Sequence, residues 1–546
     1  MKIQIIFMLT YLVNIMFSQI EMNYSYEMQY GNGQQVTGQN NLSKEDYSYI
    51  ENLLDMNSYI GENIYVFTQL EYSNPPIYGY SRTSLDSILT IFYIEYSNDK
   101  FNMKFGDQHE LYGRGLAFYT LQNQNIDYDN GIPGISMNYY LQDNLKLSTL
   151  IGAGEYEFRS NPAYRQTDYQ YDLNVGLGAI DYENQSFGYF HFMYLMQETL
   201  FTSDFIEKIC VYEAYEVGEE LNDRPGPCSD LGEDSDTINM KNYNLTWNYF
   251  LGPFDIYMDK SWIYHDKIHG EEVFGSRFYA SLYAEILGTG VTYEYKNYFT
   301  PYLLKSFSNP PIVYREGNSI LASRNTHSMN FGNEIGHQLD VNKNLSENMN
   351  LVANFSISHR HQTGDMESID LLDVLSMSNK DEVIYYQPFR QAYMEINGWT
   401  FSDRLYYKIG LDHFIEYTDS KEIMALTMPT HGVIEFNNGS SLTMYLENQE
   451  KIVKELGSEF QYGNQYSSIS YSHHGKWILT GFFEQEIKDG KTGQWIGSDI
   501  SWKINTETIM SIFYGSQKGG LVCANGICAE QPGFEDGVKC TFRTLF

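Results

Sequence analysis

Two short segments hold most of the residues whose types and spacing fit them for chemistry. The first is Phe105-Gly-Asp-Gln-His-Glu-Leu-Tyr-Gly-Arg-Gly-Leu116. Gly113 and Gly115 flank Arg114, so the backbone can bend there and the guanidinium can reach across a cavity. Asp107, His109, Glu110, Asp127 and Asp129 stand near it as partners. The second segment runs from Asn309-Pro-Pro-Ile-Val-Tyr-Arg-Glu316 to Arg324, His327, Asn333, Glu334 and Gly336, and Asn74-Pro-Pro-Ile-Tyr78 echoes its start. Adjacent prolines lack ladder donors, so they mark a broken strand or an in-folded loop. Arg114 and Arg324 against Asp107, Asp129 and Glu334, with His327 nearby, describe a polar constriction. Opposite charges facing each other across a lumen set a transverse field that orients a permeating solute. The same groups would equally make a salt-bridge network that fills or plugs a wide barrel.

Catalytic patterns are a poor match. No serine sits in a nucleophile elbow and no His-Glu-x-x-His occurs, so the chain is read as neither an enzyme nor a cofactor protein. His359 and His361 share a face, but a metal would need a third ligand, and as a pair they read as surface residues. Asp230, Glu233, Asp234 and Asp236 match no calcium-loop spacing; they read as a solvated acidic loop that divalent cations could visit. Cys523 and Cys528 flank a short turn and could close a small disulfide; Cys210 and Cys228 could close a larger loop, leaving Cys540 over.

The elements that must position these groups are strands. Leu245, Trp247 and Tyr249 alternate with Asn244, Thr246 and Asn248. Phe278, Ala280 and Leu282 alternate with Arg277, Tyr279 and Ser281. Leu442, Met444 and Leu446 alternate with Thr443, Tyr445 and Glu447. This two-residue period recurs past about residue 55, with turn signals such as Asn437-Asn-Gly439 and Lys488-Asp-Gly490 between runs. A soluble sandwich gives the same alternation. The polar set here is rich in Tyr, Asn, Gln, Ser and charge, which fits a lumen, and the chain closes on the strand-like Val538–Phe546 with a terminal Phe. Tyrosine alone counts 49, and its amphipathic ring suits a membrane–water boundary. The expected fold is all-β: one large antiparallel transmembrane barrel of roughly 18–24 strands, even in number.

Residues 1–18 read as a signal peptide, with Lys2 ahead of an apolar run and Ser18 before cleavage. Residues 19–50 read as a lead-in or a first strand. Residues 51–546 form the barrel, with a long polar loop near 201–240. A formal charge of -35 argues against nucleic acid as a partner. The remaining partners are outer-membrane lipids and lipopolysaccharide, with divalent cations at acidic loops; protein partners stay open.

Taken together, Gly-Asp-x5-Gly-Arg-Gly-Leu (Gly106 to Leu116), Asn309-Pro-Pro-Ile312, Arg324-x-x-His327 with Glu334, and Gly519-Gly-Leu-Val-Cys523…Cys528…Phe534-Glu-Asp-Gly-Val538 resemble an uncharacterised family of outer-membrane β-barrel proteins from Bacteroidota and related Gram-negative bacteria. The resemblance covers most of the chain and implies fold and location, with no activity attached. The function expected is a porin-like channel for passive or facilitated solute passage. The alternative is a closed barrel acting as a scaffold, surface-binding or secretion-associated protein.

Overall fold

The computed structural model describes residues 20–37, 43–74, 80–81, 88–123, 128–158, 169–201, 237–268, 271–300, 307–317, 319–327, 329, 332–361, 374, 385–418, 421–455, 457–524, 527–531 and 533–546. Residues 1–18, read as a signal peptide, and most of the segment read as an acidic loop, with Cys210 and Cys228, lie outside these residues, as does Asp127.

Among the described residues, 24 antiparallel strands pair into one closed barrel. Sequential strands are neighbours, as short hairpin connections dictate. The segment left open between a lead-in and a first strand is a wall strand, Ile20–Thr37. It pairs with Ser43–Ile60 on one side and with the closing strand Phe534–Leu545 on the other. Phe546 completes the seam by a reciprocal backbone pair with Tyr24, at 3.1 and 2.8 Å. Closure leaves no ladder edge unpaired, a condition any sheet inside hydrocarbon must meet.

Exposure decides which face meets what. In the strand Thr237–Leu251, Asn242, Asn244 and Thr246 are 1%, 1% and 0% exposed, while Tyr243 and Leu245 are 37% and 43% exposed. A water-soluble sandwich would show the reverse. The outward apolar set continues from strand to strand, because register sets Leu282 beside Tyr293, Tyr293 beside Leu339 and Leu339 beside Phe355. So broad an exposed apolar belt is not tolerated in water and is the construction of a barrel immersed in lipid.

Short turns gather at the rim that carries both strand ends of the seam, and longer connections gather at the other. The Lys488-Asp-Gly490 signal folds as read, with Asp489 and Gly490 at φ 48° and 80°, the double left-handed geometry of a tight hairpin.

One part of the inner face departs from the polar expectation. Leu173, Val175, Leu177 and Ala179 point inward and join Met193, Leu195, Phe118 and Phe307 in a buried cluster. There the wall packs against chain folded into the lumen, so it is apolar as a soluble core is.

Leu446 faces outward near mid-strand and is 54% exposed. Leu446→Arg should destabilise the barrel in liposomes by about 2–4 kcal/mol by urea titration, whereas Thr443→Arg, on the inward row, should cost much less.

Candidate functional site

Among the described residues, two long connections leave the long-loop rim and fold into the lumen. The first tongue, described over 109–123 and 128–131, lies between the strands Phe101–Gln108 and Ile132–Gln142. A two-residue ladder, Leu111–Tyr112 against Phe118–Tyr119, brings its tip back on itself. Gly113 and Gly115 occupy φ 60° and 81°, and a Cβ on Gly115 would stand 2.6 Å from the Asn309 carbonyl. Only glycine meets both demands at this bend. Arg114 is thereby held out at the tip, exposed to the lumen. Its Nη1 donates to the Tyr279 hydroxyl at 2.6 Å, its guanidinium lies 4.1 Å above the Tyr257 ring, and its backbone N–H faces Asp259 at 3.5 Å.

Asp107 and Asp129 serve the root of this tongue. Asp107 accepts the Phe92 amide at 2.6 Å. Asp129 meets His109 Nε2 at 3.0 Å and accepts the Gly131 amide at 2.7 Å.

The second tongue, described over 307–317, 319–327, 329 and 332, follows the strand Thr289–Phe299. Its Pro-Pro start supplies carbonyls in place of ladder donors: Tyr298 donates to Pro311 O at 2.8 Å and Lys296 Nζ to Ile312 O at 2.5 Å. The two tongues clasp each other. Tyr119 N–H donates to Phe307 O at 2.6 Å, Asn309 N–H donates to Gly115 O at 3.1 Å, and the rings of Phe118 and Phe307 meet at 5.7 Å. From the wall, Arg277 holds both, donating to Ser308 Oγ at 2.6 Å and to Leu116 O at 3.3 Å.

Beyond the clasp, wall carboxylates anchor the second tongue. Glu447 accepts Ser319 Oγ, Leu321 N–H and Ala322 N–H at 2.6, 3.0 and 3.1 Å. Glu484 takes Arg324 in a bidentate pair. His327 lies between two carboxylates, with Nδ1 2.7 Å from Glu416 and Nε2 3.1 Å from Glu334, and its ring stacks on Phe389 at 4.1 Å and 8°. Glu334 also pairs with Lys296 at 2.6 Å. Lys296 can lie there because the neighbouring inward position is Gly336, whose Cβ would stand 2.5 Å from the lysine side chain.

One inward row carries both ends of this system. Asp259, Tyr279, Lys296, Gly336, Ser358, Phe389 and Glu416 stand opposite one another, strand after strand. His327 is on the tongue, outside the spanning strands. Burial pushes its imidazole down, but Glu334 and Glu416 outweigh that and hold it up at about 9. It is therefore cationic at neutral pH, and with Lys296 it balances the two glutamates.

The residues singled out in the sequence thus fall into separate stations. His327 and Glu334 meet directly; Arg324 finds Glu484; Arg114 finds Tyr257, Tyr279 and Asp259. Lys296, Arg277, Glu416, Glu447 and Glu484 were not singled out beforehand, though Arg277 and Glu447 sat in the polar rows already read. Cys523 and Cys528 stand opposite each other on a two-stranded ladder, Gly520–Ala524 with Ile527–Gln531; their side chains are outside the description. Cys540 is a free, half-buried thiol. His361 is engaged by Asn333 and Asn297, at 2.7 and 3.0 Å. Among the described residues, no three His, Cys, Asp or Glu side chains are grouped to hold a metal.

Fold and site define a wide closed barrel with two clasped tongues in its lumen. Residues 1–187 match the model of a family of unknown function (DUF6029). No curated protein matches the sequence. Among solved structures, the chain is similar to the P pilus usher (PapC) translocation pore at 8% identity, TM-score 0.41, covering 96% of this chain and 99% of that one. It is similar to a mutant of the ferric enterobactin receptor (PfeA) from Pseudomonas aeruginosa at 9% identity, TM-score 0.43, covering 96% and 80%. It is also similar to the copper transporter OprC at 9% identity, TM-score 0.44, covering 97% and 80%.

His327→Gln leaves Glu334 and Glu416 facing each other beside a single cation. It should lower stability by about 3 kcal/mol in a denaturant titration at neutral pH. A histidine held above its unfolded value of 6.5 stabilises fully below pH 6.5, and that contribution is lost as pH rises through about 9. The parent should therefore lose stability across that window, and His327→Gln should show a flatter profile there.

Proposed function

We propose that the protein is an outer-membrane channel for small polar solutes, with its passage narrowed by the two tongues and its outward belt in contact with outer-membrane lipids and lipopolysaccharide. One observation carries this reading: the tongues cover only part of the wall. Inward groups of the middle strands, such as Asp259, Ser356 and Glu447, are buried beneath them. Inward carboxylates of the first and last strands, Glu27, Glu51, Glu71 and Asp499, remain half-exposed. The passage runs along that acidic side, so it favours cations over anions of equal size. No reaction and no cofactor is assigned to it.

The alternative of a closed barrel serving as a scaffold, surface-binding or secretion-associated protein has its own support. Carboxylates from four strands hold the second tongue, as a permanent plug would need. A pure, heat-modifiable protein that neither conducts in planar bilayers nor swells liposomes would favour that alternative.

If the channel reading holds, unit conductance is low and cation-selective. Gly115→Val, which drives a side chain into the Asn309 carbonyl, raises it severalfold by loosening the clasp. Equal conductance in parent and variant would count against the tongues as the constriction.

A further inference from the structure

The wall opposite the first tongue carries a run of aromatic rings, touched by the tongue system at Tyr445, whose hydroxyl donates to the anchor Glu447 at 2.9 Å. Tyr406, His431, Tyr445, Tyr466, Phe482 and Phe513 follow one another across the inner face, with ring centroids 5.8, 6.2, 5.8, 6.1 and 5.8 Å apart. All six are half-buried, so each keeps surface towards the lumen. Their alternate neighbours Met428, Met444, Leu446, Ile469 and Ile512 point outward into the apolar belt. The run is oblique. Tyr406 is the second residue of Leu405–Tyr417, beside the short-turn rim. Tyr466 lies in the middle of Ser458–His473. Beyond Phe513, Phe534 continues the run at 6.4 Å and opens the closing strand at the opposite rim.

Spacing alone would not create this continuity. The strand Lys491–Lys503 lies between those carrying Phe482 and Phe513, and any side chain at the crossing point would part the two rings. That position is Gly497, whose Cβ would stand 2.6 Å from both Phe482 and Phe513. The rings meet across the glycine in near-parallel planes, 12° apart. Polar groups flank the run in register. Lys408 stands opposite His431, Ser468 lies between Tyr445 and Phe482, and Asp499 and Lys539 stand either side of Phe513.

We propose that this run is a binding track for linear oligosaccharides. A pyranose ring has an apolar C–H face and a rim of hydroxyls. It needs aromatic surface beneath it and charged or hydroxyl side chains at its edge, repeated at about the length of one sugar unit. A purely apolar solute would have no use for the flanking charges, and a small ion none for the rings. The inference deepens the channel reading by naming a solute class, and it rests on that reading only for the transport step.

The experiment uses the full-length barrel, refolding checked by heat-modifiable mobility, and maltohexaose as the probe. In planar bilayers, maltohexaose should interrupt the current reversibly. The paired variant Phe482→Ala with Phe513→Ala, both away from the tongue anchors, should keep the unit conductance and raise the half-blocking concentration at least about tenfold, whereas Phe482→Trp should preserve the block. Calorimetry on the detergent-solubilised barrel separates the two ideas. Maltohexaose binding that is lost in the paired variant, without any conductance, sinks the channel and keeps the track. Conductance with neither block nor calorimetric binding overturns the track and leaves the channel. Block that is equal in parent and paired variant also overturns it.

Discussion

The seam between the first and last strands is the constraint on which the rest depends. A sheet with lipid on one side cannot leave N–H and C=O groups at an edge, since nothing in hydrocarbon would satisfy them. The strand Ile20–Thr37 therefore pairs with Phe534–Leu545, across almost the whole chain. Once the seam closes, each wall residue points either to lipid or to the lumen, and register alone builds the belt outside and the polar rows inside.

Closing so many strands creates a second problem, because a barrel this wide encloses more space than its own side chains can fill. The tongues answer it. They are irregular backbone at membrane depth, which is tolerated only inside protein or against water. Their hydrogen bonds show how it is tolerated here. The tongues satisfy each other across Phe307 and Gly115, Arg277 serves both, and wall carboxylates take the remaining donors. Where the first tongue lies flat, the wall switches from polar to apolar and packs against it.

How much of this the sequence discloses follows from the range of each interaction. Alternation is local, so the strands, the outward set around Leu245 and Leu446, and the Asp489-Gly490 turn are readable from a few residues. The tongues are half-readable: Gly-Arg-Gly and Pro-Pro announce a backbone that leaves the ladder, but not where it goes. The partners are unreadable. Arg324 meets Glu484 at a separation of 160 residues, and Ser319 meets Glu447 at 128. Which carboxylate faces which donor depends on barrel curvature and the depth of each tongue, and no spacing rule encodes either. His327 with Glu334 is the exception because only seven positions separate them. The aromatic run shows the same limit. Its rings are unremarkable one by one in a Tyr-rich chain, and only the lateral register makes them a series.

Charge explains why carboxylates, rather than apolar contacts, hold the second tongue. The chain has 70 acidic residues and 35 Lys and Arg, so inward carboxylates confront one another around the wall. A tongue that brings Arg324, His327 and two backbone amides to Glu484, Glu416 and Glu447 relieves that repulsion where it docks. Such charge-assisted bonds are strong where water is excluded, as at His327, which is flanked by Phe389 and Tyr314. They differ from apolar packing in one respect: water can take the place of either partner. The stations thus set a graded hold on the tongue, firmest at the dry histidine and weaker at Arg324, whose side chain is 20% exposed.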